Sequence, residues 1–270
     1  MSQEKSPQCQ TQYPIVLVHG IGFRQNKIIG YWGRIPKLLQ KNGASVYYST
    51  QDAWGSVEHN AEIIKQDVER VLTETGAEKV NLIAHSNGGM ESRYMIHELE
   101  MAPFVASLTT FCTCHHGLKT VDRLLRLPQF IIKAAAFFVN CFFRILGDKK
   151  PDFYGTCQQL TTDYCKYFNE KNINSTEIIY RSYAAKMKNP LSDILLWLPC
   201  LVVGFIDGES DGLVSVESAK WGEFMGVTEG TGLRGVSHAD AVDCRRYTPK
   251  SFDICGVYVD CVKKLAELGL

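Results

Sequence analysis

The segment YPIVLVHG at 13–20 is an almost uninterrupted apolar run that ends in glycine. Such a run is typical of a strand buried on both faces, as in the middle of a parallel sheet. Comparable runs predict further strands, at 45–49, 79–86, 105–113 and 177–187. Helices are predicted between these strands and at the end of the chain, at about 30–41, 58–75, 88–100 and 251–268, the last with Ser251 as its N-cap. Strands that alternate with helices predict an α/β fold with a mainly parallel sheet and helices on both faces.

The composition indicates one globular domain without a strongly charged partner. Hydrophobic residues make up 45% of the 270 residues, and Lys+Arg and Asp+Glu balance at 29 each. This balance gives no reason to expect binding to nucleic acid or to an acidic membrane surface. We expect a single domain over residues 1–270, because no repeat or linker divides the chain. The polar N-terminus is unlike a secretory signal, so we expect a cytoplasmic protein, or a secreted one if a signal was removed.

The alternation of strands and helices is interrupted at about 118–171. Within this insertion, QFIIKAAAFFVNCFFRIL at 129–146 places its polar residues on one narrow stripe of a helix, namely Gln129, Lys133, Asn140 and Arg144. The apolar remainder indicates either a buried core helix or a mobile lid over an apolar pocket, and the place of the insertion favours the lid. A second apolar insertion is predicted at about 190–206. Both runs are too short to span a membrane, which takes about 18–20 apolar residues.

Ser86 lies in the segment AHSNGG, between a predicted strand and two glycines. A serine in this position is often a helix N-cap or a turn residue. It can also be a nucleophile held on a sharp strand-to-helix turn, which needs small neighbours because the backbone passes close to other segments. Both AHSNG and the earlier VHG lie at the carboxyl ends of predicted parallel strands, where sheets of this kind hold their reactive sites. This placement favours the nucleophile.

A serine nucleophile needs a histidine base that a carboxylate orients, and on a strand-to-helix turn the chain order is serine, acid, histidine. Of the seven histidines, only His238 leaves room after Ser86 for an acid and a strand-loop-strand unit. The acidic segment before it offers Asp207, Glu209 and Asp211. Asp211 opens a turn ahead of LVSV and is the predicted acid. Asp207 is the alternative, although it has more the character of a turn residue.

An oxyanion site needs two backbone N–H groups, one from the residue after the nucleophile and one from the loop after the first strand. These groups would belong to Asn87 and, in the segment HGIGF, to Ile21. Gly20 and Gly22 would let that loop approach the serine closely. The alternative for this segment is a tight turn or a phosphate-binding loop, but no full phosphate-binding fingerprint is present.

Together these motifs resemble the true bacterial triacylglycerol lipases of the α/β-hydrolase superfamily. The likeness is carried by YPIVLVHGIGF, LIAHSNGGMESRY, TCHHG, DGLVSVESAKWG and SHADAVD, in the family's order over most of residues 13–265. It implies an α/β-hydrolase fold with a helical lid at 118–171. It also implies a catalytic triad and an oxyanion hole, formed by Ser86, Asp211 and His238 and by Ile21 and Asn87. Two departures are Ala84, where many relatives have glycine, and Cys114, where relatives tend to have proline.

Secreted lipases of this group often bind a structural calcium ion near the catalytic histidine. The resemblance implies Asp240 as one ligand, two residues after the histidine, and Asp193 is a looser candidate for a second. No cofactor is expected to be required, and calcium would be structural. The ten cysteines are scattered without a C-x-x-C pair, which favours reduced thiols over a zinc site or a disulfide framework.

The sequence therefore predicts a serine hydrolase that cleaves carboxylic esters of lipids through an acyl-enzyme, as a triacylglycerol lipase or a carboxylesterase. One alternative is an acyltransferase that uses the same triad. Another is a non-catalytic module that binds hydrophobic ligands, although nucleophile, base, acid and oxyanion loop are all present. The expected partners are a lipid or ester substrate and a lipid surface that the lid touches transiently, with no nucleic acid and no transmembrane span.

Overall fold

The computed structural model describes residues 8–24 and 30–270, and within them six parallel strands form one sheet. In sheet order they are β2 (Val46–Tyr48), β1 (Ile15–Val18), β3 (Val80–His85), β4 (Val105–Phe111), β5 (Ile179–Ala185) and β6 (Glu223–Thr228). The sequence patterns did not predict β6, because it is a partly buried edge strand. The first seven residues of the polar N-terminus lie outside the described residues.

Helices cover both faces of this sheet. They are α1 (Ile35–Lys41), α2 (Val57–Thr75), α3 (Gly88–Glu98), α4 (Lys119–Leu124), α5 (Gln129–Ile145), α6 (Phe153–Gln159), α7 (Thr162–Lys171), α8 (Trp197–Ile206) and α9 (Ile254–Glu267). Alternate side chains of β1 point to opposite faces of the sheet. Ile15 and Leu17 pack in a core with α1 and α9, and Val16 and Val18 pack in a second core with α2 and α3. The predicted α/β architecture, with a mainly parallel sheet between two layers of helices, is confirmed.

The interruption at 118–171 folds as α4, α5, α6 and α7. The alternative of a buried core helix at 129–146 is wrong, since α5 buries only Ile132 and Ala136. Asn140 accepts a hydrogen bond from the Phe153 backbone N–H at 2.8 Å, so part of the polar stripe faces α6 and most apolar side chains face outward. None of the described helices combines the length and the apolar character that a membrane crossing requires. One domain with insertions at about 118–171 and 190–206 stays a prediction.

The predicted N-cap of the last helix is wrong. Asp253 caps α9, with its side chain accepting the Gly256 N–H at 3.1 Å, while the Ser251 hydroxyl has no hydrogen-bond partner within the described residues. We therefore expect Asp253→Ala to lower the free energy of unfolding by about 1 kcal/mol. Ser251→Ala is the matched control and should change it much less. Urea denaturation measures both, and the reverse ranking would restore Ser251 as the cap.

Candidate active site

Ser86 lies between β3 and α3 in a left-handed backbone conformation, with φ of 55°. This conformation is strained for any residue other than glycine. The Ser86 N–H donates to the carbonyl oxygen of Phe111 at 2.9 Å, which ties the turn to the end of β4. A Cβ atom on Gly20 would lie 2.5 Å from Ser86 Cβ, and one on Gly88 would lie 2.3 Å from the carbonyl oxygen of His19. Glycine is therefore required at both positions by the close approach of two backbone segments.

The base and the acid that chain order predicts are in contact. His238 Nδ1 lies 2.6 Å from Asp211 Oδ2, and the His238 backbone N–H donates to the Asp211 carbonyl oxygen at 2.9 Å. The other carboxylate oxygen accepts hydrogen bonds from the backbone N–H groups of Leu213 and Val214, at 2.9 and 2.8 Å. Because this carboxylate is buried and its other oxygen is held by two backbone N–H groups, it is placed to orient the imidazole through Nδ1.

His85, the residue before Ser86, lies against His238. The ring centroids of His85 and His238 are 4.4 Å apart. Within the described residues the His238 ring is hydrogen-bonded to Asp211 and not to Ser86 Oγ, and catalytic contacts of this kind commonly shorten only when substrate binds. Burial holds the pKa of His85 well below its usual value, and the nearby His238 lowers it further. His85 therefore stays neutral beside the candidate base.

The alternative acid, Asp207, lies at a different place. It ends α8, and its carboxylate accepts hydrogen bonds from the backbone N–H groups of Lys119 and Thr120, at 2.8 and 2.9 Å, and from the Thr120 hydroxyl. These bonds satisfy the free N–H groups at the start of α4. Asp207 therefore fastens the insertion at 118–171 to α8 and does not orient His238.

Ile21 and Asn87 lie on the two segments that meet at Ser86. The N–H groups of Gly20 and Gly22, on either side of Ile21, donate to acceptors within the protein at 2.9 and 3.0 Å. In the part of the chain that the structure describes, the N–H groups of Ile21 and Asn87 donate to no acceptor. The serine is therefore flanked by two backbone donors without a protein partner.

Two buried side chains that sequence reasoning missed support the site. The Tyr31 hydroxyl accepts the Gly20 N–H at 2.9 Å and lies 2.7 Å from Nδ1 of His85, so it joins the loop after β1 to the end of β3. Glu91 Oε1 accepts a hydrogen bond from the side-chain amide of Asn87 at 2.9 Å. No sequence signal marks either residue, since Glu91 resembles any acidic residue in the first turn of a helix.

Glu91 gives this site a testable pH dependence. Burial raises its pKa to about 8, although the amides of Asn60, Asn87 and Gln51 act in the opposite direction. An unfolded glutamate has a pKa of about 4.3, so the unfolded chain loses this proton first and folded-state stability falls as the pH rises from about 4.3 to 8. We expect Glu91→Gln to remove this fall. The free energy of unfolding of the variant, relative to that of wild type, should therefore increase between about pH 5 and pH 8. Urea denaturation at several pH values measures it, and a pH-independent difference would contradict it.

One cluster within the described residues could hold a soft metal ion. His85, Cys112 and His238 offer ligand atoms within 4.8 Å of one another. Burial, and next the Asp211 carboxylate, raise the pKa of the Cys112 thiol well above its usual value. Since a metal binds the thiolate, this environment opposes metal binding there.

The two residues implied as calcium ligands lie beside the loop of His238. Asp193 accepts the Ser237 hydroxyl at 2.7 Å, and Asp240 accepts the Ser237 backbone N–H at 3.1 Å. The structure therefore brings both carboxylates to the residue that precedes the candidate base.

An apolar cavity of about 540 Å³ opens beside the loop after β1, lined by Gly22, Phe23, Arg24, Ala53, Phe142, Phe143 and Leu146. Its size lies in the range of small-molecule sites. Helix α5, which contributes to this lining, exposes most of its large apolar side chains, among them Phe137 at 63% and Phe138 at 70%. Helix α8 is similarly exposed, with Phe205 at 87%. Exposed apolar surface of this extent is typical of contact with a membrane, a ligand or another protein.

The sequence profile of the palmitoyl protein thioesterase family matches residues 14–192, which is more than half of the chain. The chain belongs to this family. The matched region includes Ser86, Ile21 and Asn87, whereas Asp211 and His238 lie beyond it.

Curated relatives and solved structures add lipases to this comparison. Triacylglycerol lipase 2 of Saccharomyces cerevisiae is 29% identical over 230 residues, which cover 80% of this chain and 63% of the yeast protein. A triacylglycerol lipase of Pseudarthrobacter phenanthrenivorans is 40% identical over 177 residues, 59% of this chain and 53% of that protein. The structure of Staphylococcus hyicus lipase matches with a TM-score of 0.73 and 16% identity over 99% of both chains.

These likenesses confirm the α/β-hydrolase fold and the predicted resemblance to lipases of that superfamily. The chain spans less than two thirds of the length of either curated relative.

Proposed function

We propose that the chain is a serine hydrolase that cleaves carboxylic esters of lipids, with Ser86 as nucleophile, His238 as base and Asp211 as the acid that orients it. The observation that carries this proposal is the contact of 2.6 Å between His238 Nδ1 and Asp211 Oδ2, beside a serine on a strained strand-to-helix turn. A turn of this kind persists where the surrounding structure holds it, and such turns cluster at reactive sites. The family match and the lipase relatives support the same class of reaction.

The reaction would run in two halves. Ser86 Oγ attacks the ester carbonyl while His238 Nε2 takes the hydroxyl proton, and the N–H groups of Ile21 and Asn87 donate hydrogen bonds to the oxyanion. His238 then gives the proton to the departing alcohol, which leaves an acyl group on Ser86. Water attacks this acyl-enzyme with His238 again as base, and the fatty acid departs as the serine regains its proton. Every step uses groups of the protein, the substrate and water, so this mechanism needs no cofactor.

A thioester is the second candidate substrate, because the matched family is that of palmitoyl protein thioesterases. The same acyl-enzyme would form, with a thiol in place of the alcohol as the leaving group. Hydrolysis of a palmitoyl ester and of a palmitoylated cysteine peptide, assayed side by side, separates the two. Acyl transfer is tested by adding an acceptor alcohol and analysing the products.

Substitutions in the triad test the proposal directly. We expect Ser86→Ala to lower kcat by about 10⁴–10⁶ and to abolish labelling by a fluorophosphonate probe, because triad members act as a unit. Asp211→Asn should lower kcat by about 10⁴, since the imidazole loses the group that fixes its tautomer. The matched control is Asp207→Asn, which should loosen α4 and spare turnover of a dissolved short-chain ester. Labelling of Ser86→Ala at the wild-type rate, or a greater loss in Asp207→Asn than in Asp211→Asn, would refute these assignments.

We also propose that the insertion at 118–171 is a lid, which fits a lipid substrate. The carboxylate of Asp148, just after α5, accepts the backbone N–H groups of Ala53 and Trp54 at 3.1 and 3.0 Å, which holds this end of the helix beside the apolar cavity. Fully burying a phenylalanine is worth about 1.5–3 kcal/mol. Phenylalanines on α5 and α8 would therefore stabilise contact with a lipid surface, which we propose as the transient partner of the lid.

Two exposed phenylalanines of α5 test this contact. We expect the double variant Phe137→Ser/Phe138→Ser to lower activity on emulsified triglyceride much more than on a dissolved short-chain ester, because only the emulsion offers an apolar surface. Its Tm should change little, since both side chains are exposed in the folded protein. Phe104→Ser is the matched control, because Phe104 is 43% exposed at the opposite, amino end of β4. Equal loss on both substrates with a large drop in Tm would contradict the proposed lipid contact, because it would show that these side chains act through stability.

A further inference from the structure

Two buried carboxylates hold the residue that precedes the candidate base. The Ser237 hydroxyl donates to Asp193 Oδ2 at 2.7 Å, and the Ser237 backbone N–H donates to Asp240 Oδ2 at 3.1 Å. The Asp193 side chain has no exposed surface, and that of Asp240 is nearly buried. Two anions at this depth need cations nearby, because an unpaired buried charge is strongly unfavourable.

Arginine supplies those cations. The Arg245 guanidinium lies between the two carboxylates, in contact with Asp193 Oδ1 through Nη2 and 3.8 Å from Asp240 Oδ1 through Nη1. Arg234 Nη2 lies 2.8 Å from Asp240 Oδ2. Asp193 is therefore paired with a guanidinium through one oxygen and hydrogen-bonded to Ser237 through the other.

A calcium ion does not fit this donor set. Calcium requires about six to eight oxygen ligands at about 2.3–2.6 Å, with the carboxylate oxygens turned toward the ion. Here the oxygens of Asp193 and Asp240 already accept N–H and O–H groups from Ser237, Arg234 and Arg245. Two guanidinium charges balance the two carboxylate charges, so the cluster offers a dication no net attraction.

We propose that Arg245 takes the place of a structural calcium ion: it joins the segment of Asp193 to the loop of His238, and the wild-type protein needs no metal there. A guanidinium suits this role, because its fork of N–H donors can engage two carboxylates at once. Arg245 is thus a positioning residue, which acts on His238 through Asp193, Asp240 and Ser237. The catalytic part of this inference rests on the proposed role of His238, whereas its calcium part does not.

The test compares wild type with Arg245→Ala, Arg245→Lys and the control Lys250→Ala. Lys250 is an exposed cation of the same loop that joins no ion pair within the described residues. Each protein is melted in EDTA and in calcium chloride at about 10 mM, which exceeds the Kd of weak protein sites. Calcium binding to wild type and to Arg245→Ala is measured by calorimetry, and the rate of Ser86 labelling by a fluorophosphonate is followed well below each Tm.

For wild type and for Lys250→Ala, the Tm in EDTA should equal the Tm in calcium. Calorimetry should detect no heat of calcium binding to wild type. Arg245→Ala should melt at least about 5 °C lower in EDTA, because Asp193 is left buried and unpaired. Its labelling rate should fall by about tenfold or more, as expected for a displaced base. Calcium should restore part of both losses, and Arg245→Lys should lie between the alanine variant and wild type.

Other outcomes would overturn the inference. A wild-type Tm that rises in calcium and falls in EDTA would show a metal site where Arg245 lies. Equal Tm and labelling in Arg245→Ala and Lys250→Ala would show that the arginine holds nothing in place. If Arg245→Ala does not fold, the inference is still tested by the Tm and labelling rate of Arg245→Lys and by calorimetry of calcium binding to wild type. Failure of the proposed function would appear as wild type that neither labels nor hydrolyses esters, with the melting results unaffected.

Discussion

The strained turn at Ser86 is the constraint on which the rest of the site depends. A non-glycine residue in the left-handed region persists only where neighbouring structure leaves no alternative. Here β3 runs between β1 and β4, and the Ser86 N–H is fixed to the end of β4 by a hydrogen bond to Phe111. The loop after β1 then presses on the serine so closely that Gly20 admits no side chain. Pairing of β3 with β1 and β4 thus fixes the position of Ser86 next to the loop after β1.

Burial around this turn determines which groups carry charge. His85 lies against His238, yet burial keeps its pKa low, so the two rings do not compete for a proton near neutral pH. Glu91 is buried beneath Asn87 with a raised pKa, so it adds little negative charge near the place where an oxyanion would form. Asp211 differs from Glu91 because it accepts two backbone N–H groups as well as the imidazole. Burial thus keeps Glu91 from adding charge that would oppose an oxyanion, while Asp211 is bonded so that it can orient the imidazole.

Sequence patterns predicted the features that depend on residues close together in the chain. Apolar runs predicted the central strands, and chain order selected His238, because an elbow nucleophile restricts where its partners can come from. Chain order left three acids before His238, and the turn that Asp211 opens favoured it over Asp207 and Glu209. The patterns missed Tyr31 and Arg245, because each has a partner far away in the chain, His85 for Tyr31 and Asp193 for Arg245, and neither residue belongs to a periodic pattern. They could not decide whether α5 is buried, since an apolar helix has the same sequence whether it faces a core or a lipid. The calcium ligands were implied by resemblance, and resemblance at two aspartates says nothing about the arginine between them.

Polar contacts fasten the two apolar insertions where they join the rest of the fold. Asp193 precedes α8 and is held by Ser237 and Arg245, while Asp207 ends α8 and holds the start of α4. Between such fixed points α8 buries only Val203, and α5 is nearly as exposed. Segments with few buried contacts open at low free-energy cost. Movement of these helices at a lipid surface would therefore leave the loop of His238 in place. Asp193, which holds this loop through Ser237 and Arg245, lies before α8 and not on its apolar face.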